Sequence, residues 1–133
     1  MYASILAKIE KIMGSEMTYE DELNNAGKSL LGDKFRGVYA ANELTVPRML
    51  LDKQCCICNL DPRPSGGSHW VALAEDGDDL LVYDSFGRVV AEGDVLHTEN
   101  DAEQHVSEMN CGQRCLAFLC VFQQLGGDAA LLV

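Results

Sequence analysis

The feature that most constrains the fold of this chain is the segment from Cys111 to Leu125, CGQRCLAFLCVFQQL, which is almost wholly apolar at helical length and stops at Gly126-Gly127. A helix that is apolar on nearly every side has to be buried, so the rest of the chain is expected to be built around it. With 133 residues the chain supplies one domain's worth of core, and a single domain over residues 1–133 is the expectation.

The other helices lie upstream. Tyr2, Ile5, Leu6, Ile9, Ile12 and Met13 recur at helical steps, with Gly14-Ser15 as the stop. A second helix is predicted from Thr18 to Leu31, with Tyr19, Leu23, Ala26 and Leu30 on its inner side and Gly32 ending it. The spacing then predicts a loop over Lys34–Tyr39 and a short helix ending near Leu50.

From Gln54 onward the pattern changes to short apolar runs divided by turn residues, which indicates strands. The runs are Cys55–Cys58, Trp70–Ala74 and Asp79–Tyr83, with a fourth expected within Val89–Leu96. Glu75–Asp78 reads as a tight hairpin connection between the second and third runs. Helices, a small sheet and then a central buried helix make an α+β architecture.

Charge and composition narrow the partners. The 10 basic residues are scattered among 21 acidic ones, for a formal net charge of -11, so duplex nucleic acid is not expected as a partner. No segment approaches the roughly 20 apolar residues of a membrane span, and no membrane partner is expected. The opening MYASILAKIEKIMGSEM mixes lysines, glutamates and apolar residues and lacks the pattern of a secretory signal, so an intracellular location is expected. There, the six cysteines read as free thiols, metal ligands or catalytic groups more readily than as a disulfide framework.

Cys111-Gly112 at the mouth of the buried helix allows three chemistries: a metal site with Cys115, a disulfide, or a nucleophile. Free N–H groups and the helix dipole stabilise an anion at a helix N-terminus, which is where reactive thiols tend to sit. Gly112 would let a substrate carbonyl approach the backbone closely. His69 opens a predicted strand, after Gly66-Gly67 and before the only tryptophan, Trp70. If the hairpin forms, Asp84 at the end of its second strand lands beside His69, where a carboxylate orients an imidazole and favours its protonated form. Taken singly, Cys111 could be a small core residue, His69 a structural histidine and Asp84 a turn former.

The ordered set Gly66-Gly-Ser-His-Trp70, Tyr83-Asp-Ser-Phe-Gly87, Gln104 and Cys111-Gly112 resembles the His, acid, Gln, Cys series of the adenovirus-type maturation proteases. That fold group is shared with SUMO-specific proteases, and its order of residues is the reverse of papain's. The resemblance runs from Leu31-Gly-Asp-Lys-Phe-Arg-Gly-Val38 to Leu125 and is greatest to short members from virophages and mobile elements.

It implies a small mixed sheet flanked by helices and no cofactor or metal. Cys111 would be the nucleophile, His69 the general base and then acid, and Asp84 the orienter of His69. Gln104 and the Cys111 backbone N–H would form the oxyanion hole. Trp70, Gly67 and Gly112 would border a substrate groove that favours glycine. The implied substrate is a viral capsid or precursor polypeptide cut at Gly-Gly or Gly-X-Gly sites in host cytoplasm, nucleus or viral particle, or else a ubiquitin-like or SUMO-like modifier. An activating peptide is a further implied partner. As a departure from the longer adenoviral enzymes, their C-terminal helices are expected to be missing, which would leave a minimal catalytic core. An alternative of another class is a small binding module stabilised by zinc on Cys55, Cys58, Cys111 and Cys115.

Overall fold

A computed structural model describes residues 1–16, 18–40, 50–59, 69–77, 79–84, 95–97 and 110–133. Helices α1 (Tyr2–Met13) and α2 (Glu20–Leu31) come first and are followed by a 3-10 turn (Gly32–Lys34). Five strands come next: β1 (Phe35–Ala40), β2 (Cys55–Asn59), β3 (Trp70–Asp76), β4 (Asp79–Tyr83) and β5 (Val95–His97). Helix α3 (Cys111–Leu125) and the short α4 (Gly127–Leu131) end the described chain.

The expected α+β class is found, with a small mixed sheet and helices against it. Strand order is β1-β2-β3-β4-β5; β2, β3 and β4 are antiparallel neighbours, while β1 and β5 join the two edges in parallel. Strand β2 is buried along its whole length, as a strand covered on both faces should be. Side chains alternate between the two faces. Cys55, Ile57, Trp70, Ala72, Ala74, Leu81 and Tyr83 join the core around α3, whereas Cys56, Cys58, Val71, Leu73, Leu80 and Val82 form a second cluster with Leu50.

Helix α3 is the central element, as its composition requires. It packs on β3 and is flanked by α1, α2 and α4. Each wholly buried aliphatic side chain such as Leu116 or Leu119 contributes roughly 1.5–3 kcal/mol relative to exposure, so the start of this helix is a fixed point in the molecule. Tyr83 ties three elements together: its ring stacks on Phe118 at 4.8 Å between centroids, and its hydroxyl meets that of Tyr2 at 2.7 Å.

Three local expectations are corrected. Lys34–Tyr39 is not a loop: the 3-10 turn ends at Lys34 and β1 begins at Phe35, while the short helix expected to end near Leu50 falls on residues 41–49, outside the described residues. Four residues of β1, Phe35 to Val38, lie against only three of β2, Cys55 to Ile57, and Gly37 has φ 118° at this bulge. The extra residue breaks the alternation by which a strand is recognised, although Phe, Val and Tyr favour strands. Helix α2 starts at Glu20 rather than Thr18, and it buries Leu23, Gly27 and Leu31 instead of Tyr19 and Leu30, which are exposed. In α1 the buried residues are Leu6 and Ile9, while Ile12 is exposed. No helix among the described residues is long and apolar enough to cross a membrane.

Candidate active site

The hairpin arithmetic determines the first half of the site. Ala72 pairs with Tyr83 across β3 and β4, so the residue before β3 and the residue after β4 come to the same end of the sheet. These residues are His69 and Asp84. His69 Nε2 is hydrogen-bonded to Asp84 Oδ1 as an ion pair, with the side chains only 10% and 1% exposed.

Helix α3 supplies the second half. It crosses the face of β3 and starts at the same end of the sheet, which brings Cys111 against the beginning of that strand. The Trp70 main-chain N–H donates to Cys111 Sγ at 3.5 Å. The His69 side chain also interacts with Cys111. Burial acts to lower the His69 pKa, but the hydrogen bonds and charges of Asp84 and Cys111 outweigh it, and the net shift is upward from the ordinary 6.5. This favours an imidazolium beside the sulfur.

The remaining thiols sit in different surroundings. Burial pushes Cys55 and Cys58 up to about 12, and Cys56, Cys115 and Cys120 are raised as well, first of all by burial. None of the six cysteines forms a disulfide. The disposition of β2 bears on the zinc arrangement: Cys55 belongs to the core around Cys111 and Cys115, while Cys58 belongs to the cluster on the other face. Among the described residues no group of three His, Cys, Asp or Glu is arranged to hold a metal ion.

The start of α3 has no side-chain cap. Asn110, which could have provided one, instead donates through Nδ2 to Glu10 Oε2 at 3.3 Å and accepts from Arg114 Nε at 3.1 Å. Helix N–H groups without such a cap are suited to a developing oxyanion.

Two residues expected along a substrate groove have packing roles. Trp70 is 3% exposed, and its indole N–H donates to the Thr18 carbonyl at 3.2 Å. At Gly112 a Cβ would run into Thr18 Oγ1 and would stand 2.8 Å from Leu23 Cδ2, so the close approach served by this glycine is that of the segment leading into α2. Gly67 and Gln104 lie outside the described residues.

Sequence reasoning missed Thr18 and Gln113, which brace this end of the molecule. Gln113 is wholly buried and donates from Nε2 to the carbonyls of Gly14 and Glu16, each at 2.8 Å. A signal was available, because an amide inside an otherwise apolar helix requires hydrogen-bond partners. Compared with known proteins, the chain matches no family profile, no curated protein and no solved structure.

Proposed function

We propose that this chain is a cysteine endopeptidase of the adenovirus-type kind. The observation that carries the reading is the convergence of His69, Asp84 and Cys111 at one end of the sheet, with His69 bonded to Asp84 and Cys111 at the start of a buried helix. The order of these residues along the chain and their resemblance to the maturation proteases support the same conclusion.

Cys111 Sγ attacks the scissile carbonyl carbon after its proton has passed to His69. The carbonyl oxygen becomes an oxyanion that by resemblance the Cys111 main-chain N–H and the Gln104 side-chain amide receive. One such donor is typically worth about 3 kcal/mol in the transition state. The imidazolium then protonates the departing amine, the C–N bond breaks and a thioester remains. Water, deprotonated by His69, attacks the thioester, the C–S bond breaks and a carboxylate product leaves. Asp84 holds the ring and stabilises its charged form throughout.

The substrate by resemblance is a viral capsid or other precursor polypeptide cut at glycine-containing sites. Incubating the protein with candidate precursors and mapping the new termini by mass spectrometry tests this. Cuts after Gly-Gly or Gly-X-Gly that vanish in Cys111→Ala are expected, and cuts that persist in that variant would sink the assignment.

A further inference from the structure

The first turn of α3 is the end point of a series of polar contacts that the peptide-cleavage steps leave unused. Gln113 Nε2 holds the Gly14 and Glu16 carbonyls, which fixes the connection between α1 and α2. That connection continues to Thr18, which is buried against Gly112. The Thr18 carbonyl accepts the Trp70 indole N–H, and the Trp70 main-chain N–H points at Cys111 Sγ. The series therefore begins and ends on the same helix, two residues apart, and passes through two other segments of the chain, the α1–α2 connection and the start of β3.

An N–H donor bonds an anionic acceptor about twice as strongly as a neutral one. A main-chain N–H aimed at sulfur thus favours thiolate over thiol, provided that its strand is held against the helix. The indole anchor holds Trp70 in that position, and the Gln113 amide holds the segment to which the indole is anchored. Without Nε2, two carbonyls lose their common donor and the connection carrying Thr18 loses these hydrogen bonds to α3.

We propose that the Trp70 main-chain N–H stabilises the Cys111 thiolate, and that Gln113 is a positioning residue that maintains this donor through the α1–α2 connection and the Trp70 indole. The inference rests on Cys111 being the nucleophile.

The test follows the rate of Cys111 alkylation by iodoacetamide against pH in the full chain, with the labelled residue identified by mass spectrometry. Gln113→Met keeps the volume and loses the donor, and Trp70→Phe keeps a ring and loses the indole N–H. Each is expected to raise the pH of half-maximal alkylation by about one unit, the scale of a hydrogen bond to a charged group. The double variant should shift no further than the larger single change, because both act through one donor. A purely structural role would lower the melting temperature and leave that pH in place, and this outcome in folded variants overturns the proposal.

The unaltered protein gives an independent answer if the variants fail to fold. Its Trp70 amide proton resonance should move with pH at the alkylation midpoint, and this movement should be absent in Cys111→Ser. A resonance that behaves identically in both overturns the proposal. Preferential alkylation of another cysteine overturns the peptidase reading and this inference with it, whereas an alkylated Cys111 with an unmoved midpoint overturns this inference alone.

Discussion

Cys111 and Cys115 stand one turn apart on the same helix and are both buried, at 8% and 0% exposed. Exposure alone hardly separates them; their neighbours do. Cys111 has the His69 ring, the Trp70 N–H and an uncapped helix start beside it. Cys115 lies among apolar side chains, and burial above all, then the neighbouring Cys111, Cys58 and Asp84, raises its pKa well beyond the ordinary thiol value. A thiol becomes a nucleophile where donors and a cation meet it, and it remains a small hydrophobe one turn deeper.

The largest test of that contrast is Cys111→Ala, which should reduce turnover by roughly 10^4-fold or more while the far-ultraviolet circular dichroism is retained. Cys115→Ala should leave turnover unchanged. If limiting iodoacetamide labels Cys115 before Cys111, the two roles have been assigned the wrong way round.

Next in size is Asp84→Asn, expected to lower kcat by roughly 10^2–10^4-fold, the usual share of a positioned acid–base group. Its pH profile is more telling. On the proposed mechanism the Cys111–His69 pair needs a protonated His69, whose pKa is raised from the ordinary 6.5, so the alkaline limb of kcat/KM should also lie above that value. Removing the carboxylate should move the limb downward. The same shift affects stability: because the fold favours the imidazolium, its contribution is complete below 6.5 and is lost as pH rises through the raised folded value. The Tm difference between the parent protein and Asp84→Asn should therefore narrow across that window. A limb that stays in place would detach Asp84 from His69 chemistry.

Gly112→Ala should destabilise the fold by about 1–3 kcal/mol through overpacking against Thr18 and Leu23, measured by urea unfolding. A neutral result would show that the start of α3 can move, contrary to its bracing. The smallest effect is the stability loss in Cys115→Ala, about 1 kcal/mol for a few lost core contacts.

What could be read from the sequence was local in origin. The apolar length of 111–125 dictated a buried helix, and the short turn after Glu75 dictated a hairpin, from which the meeting of His69 with Asp84 followed by counting. The inner face of α2 was misplaced because it depends on Gly27 making room for the Phe35 ring, a contact between two elements. Strand β1 was missed for a related reason: its bulge makes sense only against the register of β2.

By itself, the sequence determined α1, α2, α3 and the strands of the β3–β4 hairpin, and that a cysteine opens the central helix. Those outcomes depend on side-chain period and turn chemistry within a dozen or so residues. Only the tertiary structure decided that the Trp70 N–H faces Cys111 and that Gln113 and Thr18 brace the same helix turn. These facts depend on how a strand, a helix and a connection distant in sequence pack together, and no local pattern encodes the register between them.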